Sequence, residues 1–162
     1  MVKKYLMNNN FNIEQFLDLS NYATDKRKAR RKGGSKSTQE FFTPYEIVKK
    51  MCDKISDEDW QDPSKTFCEP CCGNGQFVIY IIWNRIQHGI DWRTSLETLY
   101  CVELMQDNVD ETKERIIDLL NKLNIEYDKD VAYEIMNRNL VCSDFFKWNF
   151  EEWRPYREDE LK

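Results

Sequence analysis

The sequence predicts an α/β fold built on a small parallel sheet, and three observations carry that prediction. Three short apolar segments, 66–69, 99–103 and 139–143, have the length and composition of buried strands. Segments of helical length separate them, and a glycine-rich turn, Gly73-Asn74-Gly75, follows the first. An acidic residue stands at the end of each strand: Glu69, Glu103 and Asp144. Strands alternating with helices imply parallel pairing with right-handed crossovers.

Taken in order, residues 1–25 hold one helical pattern, with Phe11, Ile13, Phe16, Leu17 and Leu19 as its apolar positions. Residues 26–36 read KRKARRKGGSK, with seven basic residues and two glycines, and are expected to form a mobile linker. The net charge is −5, so positive charge is gathered in this arm and the rest of the chain is markedly acidic. One reading of the arm is a solvated linker. The other is a phosphate-binding arm in which Lys26, Arg27, Lys28, Arg30, Arg31 and Lys32 contact nucleic acid.

The folded domain is expected from residue 38. Thr43-Pro44-Tyr45-Glu46 reads as a helix start, with Thr43 as cap, Pro44 in the first turn and Glu46 closing a capping box. Ile47, Val48, Met51, Cys52 and Ile55 would share one face of that helix. Residues 56–64 read as a polar loop. After the glycine turn, 77–88 is apolar on nearly every side. Its β-branched content suits a strand, but its length and the bracketing Gly75 and Gly89 favour a buried helix. Residues 107–123 form an amphipathic helix with Val109, Ile116, Leu120 and Leu123 inward. Asp107, Asp110 and Glu111 near its start suit the helix dipole. The expected division is 1–37, helix and basic arm; 38–148, folded domain; 149–162, tail.

Composition fits this plan. Hydrophobic residues at 41% and aromatics at 14% are enough for one core without staples. No apolar run approaches the roughly 20 residues that span a bilayer, and the start MVKKYLMNNN lacks a secretory apolar region. A cytoplasmic protein is therefore expected. The six cysteines are read mostly as reduced, small apolar side chains. Zinc is not expected, because there is one CxxC and a single histidine, His88.

The chemistry gathers at the strand ends. Glycines let the backbone approach a ligand, and a carboxylate at the end of the first strand faces the crevice where α/β sheets bind ligands. Glu69 there suits an ammonium group. Glu103 suits the two hydroxyls of a ribose, and Asp144 an exocyclic amino group, with Phe145 and Phe146 packing on a purine. Together they suggest an adenosine ligand with a cationic tail.

EPCCGNGQF, at 69–77, resembles the DPxxGxGxF motif of adenine-N6 DNA methyltransferases, including type I modification subunits. QEFFTPYEIV, at 39–48, resembles their preceding FxTPxxIV motif. LYCVEL and CSDFFKW resemble their ribose-binding and adenine-binding strand ends. Order and spacing match over about 38–148. The resemblance implies the first half of a Rossmann-like fold and S-adenosylmethionine as cofactor. It implies that Phe42, Thr43 and Pro44 line the methionine end. Glu69, Pro70, Gly73, Gly75 and Phe77 would hold the amino acid and sulfonium region. Glu103 would bind the ribose, Leu104 would pack on the adenine, and Ser143, Asp144 and Phe145 would contact its edge and ring. No metal is implied.

The pattern breaks after Trp148. Members of that family carry (D/N)PP(Y/F), which engages the flipped target base. This chain continues as NFEEWRPYREDELK, where Arg154-Pro155-Tyr156 is the nearest imitation. No catalytic residue is therefore assigned. The expected function is DNA modification that needs a partner or second copy; the alternative is an inactive cofactor binder or decoy acting on restriction-modification systems. The first strand is also expected to be a free sheet edge, covered by a second copy, by the tail from Asn149 or by a partner protein.

Overall fold

The computed structural model describes residues 10–22 and 42–161, so the basic arm at 26–36 lies outside the described residues. The elements begin with α1 (Ile13–Phe16), a 3-10 turn (Leu19–Tyr22), α2 (Tyr45–Cys52) and α3 (Asp57–Gln61). They continue with β1 (Phe67–Glu69), α4 (Gln76–Gln87), α5 (Trp92–Glu97) and β2 (Leu99–Glu103). α6 (Gln106–Lys122), α7 (Lys129–Asn139) and β3 (Leu140–Cys142) follow, and a hairpin of β4 (Trp148–Asn149) and β5 (Arg154–Pro155) comes last.

The sheet is parallel throughout, in the order β1-β2-β3. Glu69 stands opposite Cys101, and Glu103 opposite Cys142. The expected α/β architecture with flanking helices is therefore present, with two helices rather than one in each crossover. α5 is capped by Asp91, whose Oδ1 accepts from Thr94 N at 3.0 Å. α7 is capped by Asp128, whose Oδ1 accepts from Asp130 N at 2.9 Å and Val131 N at 3.1 Å. Such caps satisfy amide groups that the first turn of a helix leaves open. No described helix is long and apolar enough to cross a membrane.

The core lies between the helices and one face of the sheet. That face carries Phe67, Leu99, Cys101 and Leu140, all part of or packed on the main apolar cluster. α4 is buried almost all round, through Val78, Ile79, Tyr80, Ile81, Ile82 and Ile86. Burying side chains of this size stabilises by about 1.5–3 kcal/mol each, which explains why β-branched residues tolerate helical geometry here. α6 buries Val109, Ile116, Leu119 and Leu120, with Leu123 just beyond its end, and packs on α4, β2 and β3.

The opposite face carries Cys68, Tyr100, Val102 and Val141, and the tail rather than a helix meets it. Trp153 packs edge-on against Tyr100 at 4.8 Å and against Trp148 at 5.4 Å, and donates its indole N–H to Arg138 O at 2.8 Å. The tail pairs with itself as β4-β5 and not with β1, whose sheet neighbour among the described residues is β2 alone.

Several local expectations are corrected. Thr43 does not cap α2. Pro44, extended at φ −62° and ψ 152°, holds the cap position with no side-chain hydrogen bond, so there is no capping box. The expected apolar face of α2 is only half buried: Val48 and Cys52 enter the core, while Ile47 and Met51 are 48% and 55% exposed. The loop at 56–64 contains α3, capped by Ser56 and anchored by buried Trp60, which stacks on Phe67 at 5.1 Å. One apolar residue in a five-residue helix leaves no periodicity to read. Cys52, Cys72 and Cys101 are buried, but Cys68, Cys71 and Cys142 are exposed thiols rather than core side chains.

Candidate ligand site at the strand ends

The carboxyl ends of three parallel strands bring most of the expected residues into one neighbourhood. β1 leaves the sheet at Glu69, and the chain turns through Pro70 to Gly75 before α4 begins. Cys72 N donates to Val102 O at 3.1 Å, tying the turn to β2. Glu103 then clamps it. Its Oε2 accepts from Gly73 N at 2.9 Å, and its Oε1 accepts from Met105 N at 2.9 Å and Asn108 Nδ2 at 3.4 Å. β3 joins the same end, since Ser143 N donates to Glu103 O at 2.9 Å.

Both glycines are required by geometry. Gly73 has φ +53°, and a Cβ there would stand 3.2 Å from the Phe42 ring. Gly75 has φ +85°, and a Cβ there would stand 2.7 Å from Thr112 Cγ2. L-residues with side chains resist such dihedrals. The segment 42–44 thus reaches the turn as expected: Phe42 lies over Gly73, and Thr43 contributes its carbonyl, which accepts from Gln76 Nε2 at 3.1 Å.

The strand ends are negative. Burial first, then the charges of Glu103 and Glu69, push the Cys71 thiol above its ordinary value, which places Cys71 near both carboxylates. Burial, then Glu103, Asp110 and Asp107, push Cys142 up as well. Glu69 itself is pushed above the ordinary value of 4.5, chiefly by burial, although its Oε1 accepts from Cys71 N at 3.3 Å. A raised folded-state pKa contributes stability that is complete below 4.5 and lost as pH rises through the raised value. Glu69→Gln is therefore expected to melt above the native chain at pH 7 and level with it at pH 4. Calorimetric melting at both values checks this; equal melting at pH 7 counts against a costly carboxylate at the site.

Leu104 is 62% exposed, and Phe145 and Phe146 are exposed as well. Asp144 caps the 3-10 turn Phe145–Lys147, with its Oδ1 accepting from Phe146 N at 3.0 Å, and so holds these rings at the end of β3. Phe77 is half-buried in the first turn of α4.

Sequence reasoning missed the layer beneath the turn. Arg115, buried on α6, donates to Asn74 O at 2.5 Å and to Gln76 Oε1 at 2.7 Å. Gln76 passes the connection to Leu17 O at 2.9 Å and Thr43 O. Thr112 Oγ1 donates to Gly73 O at 3.3 Å, and Asn74 Nδ2 to Glu111 Oε1 at 3.2 Å. The signal was present: Asn108, Thr112 and Arg115 form a polar stripe at helical spacing beside the apolar one. Arg154, the start of the Arg-Pro-Tyr sequence, is instead held by Glu160 at 2.8 Å and by Glu152.

Two cavities among the described residues are not lined by Glu69, Glu103 or Asp144. One of about 600 Å³ opens between α1 and the start of α2, lined by Asn12, Leu17, Pro44 and Tyr45 among others. One of about 320 Å³ lies over β1 and the tail. Comparison with family models, curated proteins and solved structures finds no match to the chain.

Proposed function

We propose that the strand-end crevice binds S-adenosylmethionine and that the protein acts in DNA modification of the adenine-N6 kind. The observation that carries this is the clamp of Glu103 on Gly73 N–H, with Phe42 over Gly73, beside carboxylates at the ends of parallel strands. Such an acidic setting suits a ligand with an ammonium and a sulfonium. The glycine backbone and a strand-end carboxylate suit close approach and hydroxyl recognition. Exposed Leu104 and Phe145 offer apolar surface for a purine.

The groups that engage a target base come from outside these 162 residues, since the sequence holds no (D/N)PP(Y/F) motif. A partner protein fills that role, since a second copy carries the same sequence. Titration calorimetry with S-adenosylmethionine is expected to give a micromolar Kd. S-adenosylhomocysteine, which lacks the sulfonium charge, is expected to bind more weakly in this acidic site. Absence of heat up to millimolar cofactor sinks the reading.

DNA is the proposed macromolecular partner, reached through the basic arm. Deleting 26–36 is expected to lower duplex affinity at least tenfold at 0.1 M salt and leave cofactor affinity unchanged. Each phosphate that the shortened chain no longer neutralises flattens the slope of log K against log salt by about 0.9. Fluorescence anisotropy across a salt series therefore reads how many phosphates the arm engages. An unchanged slope removes the arm from the proposal. Pure protein with tritiated cofactor and unmethylated duplex is expected to transfer no label; transfer by the pure chain overturns the need for a partner.

A further inference from the structure

Over β1 and β2, on the face away from the helices, lies a groove of about 320 Å³ lined by Thr66, Cys68, Tyr100, Phe150, Glu151 and Trp153 among others. We propose that this groove takes an arginine side chain from an extended segment of a partner protein, whose backbone adds to the edge of β1 that no described strand pairs. The proposal is independent of the cofactor reading.

The edge comes first. Phe67 N donates to Thr98 O at 2.8 Å, toward β2. In a parallel ladder, successive residues address opposite neighbours, so the amide and carbonyl of Cys68 face away from β2. Among the described residues no strand pairs there. Outward amide and carbonyl groups beside a groove are what an added peptide strand engages, with the ladder giving affinity and the groove giving specificity.

The groove's chemistry selects the side chain. Glu151 is its one charged lining residue; it is exposed, and no described cation pairs with it. Four aromatic side chains, Phe67, Tyr100, Phe150 and Trp153, line it. Tyr100 and Trp153 meet edge to face at 71°, and Phe150 and Trp153 at 65°, so neither pair is stacked face to face. Ring faces and a carboxylate together attract a cation. Arginine fits better than lysine because its guanidinium is planar, weakly hydrated, and both stacks on rings and grips a carboxylate. The volume lies at the low end of the range for small-ligand pockets (about 300–1,000 Å³), which suits one long side chain.

Trp153 supplies an independent observation. Its φ of +50° lies in the left-handed region, where a bulky residue is rare. Such strain persists where surroundings over-determine the geometry, and it clusters at ligand clamps. Here the indole is fixed by Arg138 O and by contacts with Tyr100 and Trp148.

The test uses the full chain and the acetylated, amidated pentapeptide TVRVT, with TVLVT and TVEVT as comparisons, titrated by tryptophan fluorescence in 0.15 M salt. TVRVT is expected to bind at least tenfold more tightly than TVLVT, and TVEVT not at all. Glu151→Gln, a change at an exposed position, is expected to weaken TVRVT about fivefold and leave TVLVT unaffected. Methylating alternate backbone amides of TVRVT in two registers is expected to abolish binding in one register only. Equal binding of the arginine and leucine peptides overturns the proposal. So does unchanged arginine affinity in Glu151→Gln, indifference to methylation in both registers, or no binding of TVRVT at 5 mM.

Discussion

Gly75→Ala is expected to lower the unfolding free energy by about 2–5 kcal/mol, a large share of the roughly 5–15 kcal/mol typical of a domain. Two costs add. The first is backbone: φ of +85° places a Cβ against its own carbonyl, at about 1–2 kcal/mol. The second is packing: the new methyl would stand 2.7 Å from Thr112 Cγ2 and 2.9 Å from its Oγ1, and overfilling a packed site costs about 1–3 kcal/mol. Thr112 is fully buried on α6 and cannot swing away. The two parts are separable. Gly89→Ala, at φ +89° with no atom within 4 Å, carries the backbone cost alone. Gly75→Ala combined with Thr112→Ala relieves the nearest clashes and is expected to recover part of the packing cost, less the bond from Thr112 to Gly73 O. Urea denaturation of the native chain, these three variants and Thr112→Ala alone closes the cycle. Equal losses at Gly75 and Gly89 would show that the turn does not depend on contact with α6.

Elements whose residues repeat a pattern were legible in the sequence. β2 falls at 99–103 as expected, and α4 and α6 fall within one residue of 77–88 and 107–123. Long apolar or amphipathic stretches leave few alternatives. α3 has Trp60 as its one buried anchor and so no pattern to read, and the expected face of α2 fails at Ile47 and Met51, which the core does not reach. Pro44 shows the same limit at a single residue: its ring suits the first helical turn, yet the chain uses it one position earlier. At the site, the glycines and strand-end acids were readable because each has a backbone or charge requirement of its own. Spacing marks Arg115 only as part of a polar stripe on α6; its partners, 39 to 41 residues away and including Gln76, are what spacing does not reveal.

Those partners explain why the turn is held from both sides. Arg115 and Thr112 grip it from beneath through Asn74 O and Gly73 O, while Glu103 grips Gly73 N–H from the end of β2. Glu103→Gln is the sharper probe of this arrangement, because it keeps shape and removes charge. The native carboxylate accepts at both oxygens, from Gly73 N on one side and from Met105 N and Asn108 Nδ2 on the other. A glutamine amide has one oxygen, so either orientation turns a donor toward a donor in a site only 9% exposed. Losing a hydrogen bond to a charged group costs about 1.5–3 kcal/mol, and the opposed donors add to it. The expected result is a stability loss of that size together with at least a hundredfold weaker S-adenosylmethionine binding, about 2.8 kcal/mol at 1.4 kcal/mol per tenfold. The two readouts separate the roles of the carboxylate. Calorimetry is performed well below the variant's melting temperature, where the chain is folded, so weaker binding there reports the site and not unfolding. If stability falls while affinity holds, Glu103 is a brace for the turn and the proposed ribose contact is wrong. If neither moves, the clamp itself is wrong, and the crevice loses the feature that relates its glycines to its charge.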